Sequence, residues 1–250
     1  AGGIPSVMHE LAPLLRLEAM TVTGATVGEN VGRFRAARRR DVVASLAEPR
    51  SPEGGLAILR GNLCPDGAVI KHVAASPRLR KHRGQAVVFR GIDDLRAHID
   101  DPDLPVTADS VLVLQGAGPV GAPGMPEVGF MPIPAKLLRE GVRDMVRISD
   151  ARMSGTSYGT VVLHVAPESA IGGPLALVRD GDWIDLDVDA RVLHLDVPTD
   201  ELDARRAEWS APAPLFERGY RALFQRHVLQ APDGCDFDFL RLAPGRPVGS

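Results

Sequence analysis

Apolar residues recur along the chain with two different periods, and the change between them divides it. Near the start, Ile4, Val7, Met8, Leu11, Leu14 and Leu15 fall three or four residues apart, the spacing of one helix face. Ser6 is available there as a cap and Pro13 as a kink. Thr21-Val22-Thr23-Gly24 reads as a turn, and a weaker helical pattern follows over 25–34. From 38 to 53 the periodicity fades, and Glu48-Pro49-Arg50-Ser51-Pro52 reads as a linker or loop. Beyond it short β-rich runs take over, at 68–70, 86–89, 111–114, 145–148, 160–165 and 175–178. Most are continuously apolar, the pattern of strands buried on both faces. Segments 183–188 and 191–197 alternate instead, and Asp189-Ala190 is a short enough link to make them a hairpin. Helices are expected at 93–99, at 135–140 stopped by Gly141, at 199–209 capped by Thr199 or Asp200, and at 215–227.

About eight strands with few helices predict a mostly β, α+β arrangement, a closed or nearly closed β-barrel flanked by helices. Three pieces follow: a helical segment at 1–35, a linker at 36–53 and the barrel domain at 54–250. Aromatic residues make up only 4% of the chain, so Val, Leu, Ile and Ala must build its core. A net charge of −3 is too balanced for nucleic-acid binding by bulk electrostatics. The run Arg33-Phe34-Arg35-Ala36-Ala37-Arg38-Arg39-Arg40 reads as a solvated face or linker, with a nucleic-acid patch as the alternative. No apolar run reaches the roughly 18 residues of a membrane helix. Two cysteines cannot make a disulfide framework or a four-thiolate zinc site. Without a secretory leader pattern, a soluble cytoplasmic protein is the expectation. The opening Ala1-Gly2-Gly3-Ile4-Pro5 has no initiator methionine, and the chain reads as part of something longer.

Two stretches are chemically unusual. Residues 116–129 hold five glycines, three prolines and one acid, Glu127, directly after the apolar run 111–114. Glycines let backbone N–H groups approach a ligand and prolines stiffen the loop, which suits a metal or anion site. The bland alternative is a tight rim loop whose Glu127 caps a helix. No Lys-Ser/Thr ending and no GxGxxG register are present, which argues against a nucleotide. The second stretch, Asp150-Ala151-Arg152-Met153-Ser154-Gly155-Thr156-Ser157-Tyr158-Gly159-Thr160, follows the run 145–148. It is not a Gly-x-Ser-x-Gly elbow and offers no histidine base, so Ser154 would need a nearby divalent cation to act as a base. The alternative is a plain turn. The histidines at 9, 72, 82, 98, 164, 194 and 227 have no ligand-like spacing, and an iron–sulfur cluster needs more thiolates than this chain has.

These stretches, with Gly2-Gly3-Ile4-Pro5, Leu59-Arg60-Gly61-Asn62-Leu63, Pro65-Asp66-Gly67-Ala68-Val69-Ile70-Lys71, Gly124-Met125-Pro126-Glu127 and Gly172-Gly173-Pro174-Leu175-Ala176, resemble the C-terminal part of the dihydroxy-acid/phosphogluconate dehydratase family. The block Gly141-Val142-Arg143-Asp144-Met145-Val146-Arg147-Ile148 running on to Thr156 is the most specific. The resemblance implies a lyase that removes water from a 2,3-dihydroxy acid to give a 2-keto acid. It implies Glu127 as a magnesium ligand, Ser154 as the base, and Gly155 and Thr156 as substrate contacts. It implies an iron–sulfur cluster held by cysteines outside this chain, in an N-terminal half that would be the partner of this one. Cys64 is not assigned to that cluster. It further implies a homodimer or homotetramer, and residues 1–35 as the tail of a preceding α/β domain. The ending around His227 and Gly234-Cys235-Asp236-Phe237-Asp238-Phe239-Leu240 looks like the sugar-acid branch. His227 is then a further substrate candidate, with a surface role as its alternative. Two other functions stay open: a branched-chain dihydroxy-acid dehydratase, and a non-catalytic barrel that binds a small acid.

Overall fold

The computed structural model describes residues 1–241. Two compact units divide the chain, residues 1–54 and the remainder. The first carries helices α1 (Gly3–Glu10) and α2 (Val27–Gly32). Thr26 and Glu29 form a reciprocal capping box at the start of α2. Ser6, expected as a cap, instead lies inside α1, where its buried hydroxyl donates to Arg35 C=O at 3.1 Å. The basic run is partly neutralised, since Arg39 pairs with Asp41 and Arg40 with Glu10.

The second unit is built on eight strands: β1 (Ala57–Leu59), β2 (Gly67–Ile70), β3 (Lys81–Arg90), β4 (Val111–Gln115), β5 (Val146–Ser149), β6 (Val161–Ala166), β7 (Trp183–Asp187) and β8 (Val192–Asp196). They form one sheet in the order β1-β2-β6-β5-β4-β3-β7-β8. β3, β4, β5 and β6 run parallel, while the pairs β1–β2, β2–β6, β3–β7 and β7–β8 are antiparallel. The ends then approach one another. Arg60 N–H donates to Arg191 C=O and Leu193 N–H to Arg60 C=O, each at 2.9 Å, so the sheet is a nearly closed barrel. This is the expected fold class.

Packing explains the hydrophobic patterns. All eight strands send residues into one interior cluster, among them Leu59, Ile70, Val113, Ile148, Ile184 and Leu193. The outer face of β3 and β4 is buried as well. Val87, Phe89, Leu112 and Leu114 pack beneath Leu95 of α3 (Ile92–His98) and Leu137 of α4 (Ala135–Arg139). Strands covered on both sides read as continuous apolar runs. The β7–β8 hairpin is wet outside and so alternates, with Ile184 and Leu186 buried between exposed or half-buried Trp183, Asp185 and Asp187.

Three further expectations need correction. Residues 175–178 are not a strand. Pro174–Leu177 is a 3-10 turn, apolar because Leu175, Leu177 and Val178 are buried, Leu175 and Val178 in the barrel core. Neither Thr199 nor Asp200 caps α5 (Thr199–Glu208), which begins after Pro198. The last helix, α6, is Gly219–His227 rather than 215–227, because Gly219 takes a φ of +83°. Strand β1 carried no signal of its own, being three residues long.

The Leu59-Arg60-Gly61-Asn62 segment closes the barrel. The Asn62 amide receives Leu195 N–H at 2.7 Å and donates to Leu195 C=O at 2.8 Å, imitating a missing strand. Gly61 must lack a side chain, since a Cβ there would lie 1.9 Å from Leu193 O. Gly61→Ala is expected to cost about 3 kcal/mol, read as a fall in the urea midpoint. An unchanged midpoint would show that closure contributes little.

Candidate active site

Glu127 and Ser154 come from loops that leave the carboxyl ends of adjacent parallel strands. Loop 116–129 follows β4, and loop 150–160 follows β5, its neighbour in the sheet. Crevices at the carboxyl ends of parallel strands are where open α/β sheets place ligands.

Arg152 joins the two loops. Its Nη1 pairs with Glu127 Oε1 at 2.8 Å and its Nε donates to Met125 C=O. Its own carbonyl accepts Gly129 N–H at 2.9 Å. A side chain at position 129 would be forced against Leu163 and Arg152, which explains the glycine. Further along, the rings of Phe130 and Tyr158 lie 5.8 Å apart. Glu127 is exposed and sits at the centre of a tight turn closed by Val128 N–H on Pro126 C=O at 2.9 Å. It caps no helix.

Ser154 opens a turn closed by Ser157 N–H on its carbonyl at 3.0 Å. Its half-buried hydroxyl shares a 2.9 Å hydrogen bond with Thr156 Oγ1. Lys71, just after β2, donates from Nζ to Gly155 C=O at 2.7 Å. Two fixed positive charges, Arg152 and Lys71, therefore flank a hydroxyl and a carboxylate. That combination can receive an organic acid and hold a proton acceptor beside it. His227 has other partners: Nδ1 meets Asp238 at 3.0 Å and the ring packs edge-on against Phe239. Among the described contacts it meets neither Glu127 nor Ser154.

The glycine-rich loop differs from its reading as a ligand cradle. Its backbone N–H groups point at side chains of this chain. Val120 N–H and Gly121 N–H donate to the Glu168 carboxylate at 2.9 Å. Ala117 N–H donates to Asp150 at 2.9 Å and Gly116 N–H to Ser169 Oγ at 2.6 Å. Asp150 also receives Ser169 Oγ–H at 2.5 Å. Both acids are almost fully buried, and burial pushes their carboxyls above the usual range. The amides at this end of the loop are thus committed internally, leaving Glu127 as the outward-facing acid.

Beneath the site Arg147 is buried on β5 with Asp144 at 3.0 Å. Burial works against the Asp144 charge, but donors from Thr160 and Ser76 hold its carboxyl below the usual range. Arg147 Nη1 donates to the carbonyls of Phe130 and Met131, anchoring the far end of the Glu127 loop. Residue patterns missed Glu168, which follows Pro167 with no motif around it. Lys71, Asp150 and Arg152 lay inside recognised motifs, but nothing local marked their roles.

The site accommodates part of a metal centre only. Glu127 offers a carboxylate at the surface, suited to a hard cation that keeps several waters or substrate oxygens. Among the described residues no group of three His, Cys, Asp or Glu side chains is placed to hold a metal ion. A cluster finds no ligands either. Cys64 is buried in the barrel core, its thiol pushed up to about 12 by burial, and Cys235 is shifted upward by burial and by Glu168.

Comparison with known proteins gives the family. Residues 41–235 match the C-terminal domain of dihydroxy-acid/6-phosphogluconate dehydratases. The chain belongs to that family. A 6-deoxy-6-sulfo-D-gluconate dehydratase of Pseudomonas putida is 54% identical over 99% of the chain. An L-arabonate dehydratase of Azospirillum brasilense is 52% identical over all of it. A dihydroxy-acid dehydratase of Acetivibrio thermocellus is 41% identical over 94%. The chain spans 42–44% of the length of these dehydratases. Among its described residues no helix is long and apolar enough to cross a membrane.

Proposed function

We propose that this chain is the barrel half of a hydro-lyase that converts a 2,3-dihydroxy sugar acid into a 2-keto-3-deoxy acid. The observation that carries the reading is the joining of the Glu127 and Ser154 loops by Arg152 at neighbouring strand ends. In this reading Ser154 Oγ, as the alkoxide, accepts the C2 proton, the C3–O bond breaks, the departing hydroxide takes up that proton from Ser154 and leaves as water, and the resulting enol tautomerises to the ketone. Thr156 and Gly155 orient the acid, while Arg152 and Lys71 hold the two loops around it. Glu127 supplies one carboxylate to a magnesium ion. When bound, that ion would draw electron density from the substrate carboxylate and acidify the C2 proton. The remaining ligands, and the cysteines of an iron–sulfur cluster, are assigned to a segment outside this chain that completes the enzyme. Relatives named for sugar acids, at 50–54% identity, support that substrate class over the alternative, since relatives named dihydroxy-acid dehydratases stand at 38–43%. A cytoplasmic homodimer or homotetramer accords with this role.

Assaying the complete enzyme with an aldonate and with dihydroxyisovalerate tests the assignment. Turnover of the aldonate is expected. Turnover of only the branched acid would move the protein to the other branch, and turnover of neither would leave a binding module. The 250-residue chain by itself should process neither acid, even with added magnesium. Clear turnover by it would overturn the division between two halves.

A further inference from the structure

The least expected feature of the barrel is the way its carboxy-terminal tail grips the glycine-rich loop. Gln230, just after α6, makes a two-point contact with Glu168. Its Oε1 accepts Glu168 N–H at 2.9 Å, and its Nε2 donates to Glu168 Oε1 at 2.7 Å. Glu168 in turn receives the N–H groups of Val120 and Gly121. Gln225, on α6 itself, donates to the carbonyl of Val120 at 3.1 Å. Val120 is therefore held on both of its backbone polar groups, one directly by the tail and one through Glu168. The fit at Glu168 is close: a Cβ on Gly118 would come 2.5 Å from its Oε2. The tail is itself braced, with Val228 paired to Phe237 and Leu229 N–H donating to Asp236 C=O at 2.8 Å.

We propose that Gln225 and Gln230 form a strap which, acting through Glu168, fixes the glycine-rich loop and thereby the position of Glu127. These three are positioning residues, since none is among the groups proposed to contact the substrate or the metal. The physical basis is that glycines at 116, 118, 121 and 124 leave free backbone hinges between the prolines that stiffen the loop. Its shape has to be imposed by partners. Asp150 and Ser169 clamp its root, and Glu168 holds its shoulder. A buried carboxylate needs several donors to remain in place, and among the described residues Gln230 supplies the one donor that comes from outside the loop. The consequence for metal binding rests on the proposed role of Glu127; the strap itself does not.

Amide hydrogen exchange on the 250-residue chain reads the strap directly. Gln230→Leu is expected to speed exchange at Val120 and Gly121 about tenfold or more, while amides of β4 and β5 stay protected. Unchanged exchange at those two positions would overturn the strap. If Gln230→Leu unfolds the whole chain, Gln225→Leu decides in its place. It removes the bond to the Val120 carbonyl, together with the one its Oε1 accepts from Leu215 N–H, and leaves Gln230 and Glu168 in place, so it should still loosen the Gly121–Gly124 amides relative to β4. In the complete enzyme, Gln230→Leu should raise the magnesium concentration for half-maximal turnover about tenfold, with kcat at saturating magnesium within about threefold of the parent. Altered exchange with an unaltered magnesium requirement would keep the strap and remove its link to Glu127. A complete enzyme with no dehydratase activity would count against the proposed function alone.

Discussion

Ser154→Ala in the complete enzyme should lower kcat by about 10²- to 10⁴-fold, the range a positioned general base contributes, with substrate binding nearly unchanged. The variant is clean because the local fold does not depend on the hydroxyl. The turn is closed by backbone, Ser157 N–H on the Ser154 carbonyl at 3.0 Å, and Gly155 is held by Lys71. Alanine keeps both and removes the hydroxyl, which meets Thr156 Oγ1 and accepts a long 3.4 Å bond from Thr156 N–H. A loss confined to kcat would therefore report on proton transfer rather than on a collapsed loop. Thr156→Val offers the complementary comparison, because it removes the partner and leaves the base. Rates of isotope exchange at C2 of the substrate would follow the same step directly. Near-normal turnover by Ser154→Ala would remove Ser154 from the mechanism and return residues 154–157 to the role of a plain turn.

The largest stability effect is expected at Asp144. Its carboxylate receives Thr160 N–H at 2.9 Å, Thr160 Oγ1–H at 2.7 Å and Ser76 N–H at 3.0 Å, as well as Arg147 Nη2. Asp144→Ala leaves the Arg147 guanidinium, only 1% exposed, without its counter-charge. Removing one partner of a buried pair typically costs about 3–5 kcal/mol. Chemical denaturation of the two proteins at neutral pH measures it. The pH dependence has a definite sign. The Asp144 carboxyl is held below its ordinary value, so its stabilisation is present at neutral pH and is lost as pH falls through the folded value. The variant should lack this component of acid destabilisation. Asp150 and Glu168 act in the opposite sense. Their carboxyls are raised chiefly by burial, so each favours the protonated fold and costs stability as pH rises above the ordinary carboxylate range. A stability profile for Asp144→Ala that fell with acid as steeply as the parent's would show that the buried pair is not its source.

Much of the barrel was legible in the chain because burial leaves a periodic trace. The runs at 86–89 and 111–114 are covered by the barrel interior on one face and by α3 and α4 on the other, so no polar residue interrupts them. The 183–197 hairpin has one dry face and alternates accordingly. Where burial and strand pairing part company the pattern misleads. Residues 175–178 are as apolar as a strand, yet Pro174 starts a 3-10 turn that fills the core without joining the sheet. The site was half legible in the same way. Glu127 stood out as the one acid of a glycine- and proline-rich stretch, and Ser154 as the first of two serines in a turn-rich stretch, whereas Glu168 resembled any other surface acid.

By itself the sequence determined most of the strand segments, which of their faces are dry, and which two loops have an unusual composition. All of these depend on neighbours within a few residues. Only the tertiary structure decided that β4 and β5 are adjacent and parallel, which brings the loops to one end of the barrel and lets Arg152 join them. Only it turned the glycine-rich loop from an open anion cradle into one already filled by Glu168. Strand order and the burial of a lone carboxylate arise from contacts between residues about 35 to 60 positions apart, such as Asp150 with Ala117 and Glu168 with Gln230. Contacts at that separation leave no periodic trace for local patterning to read.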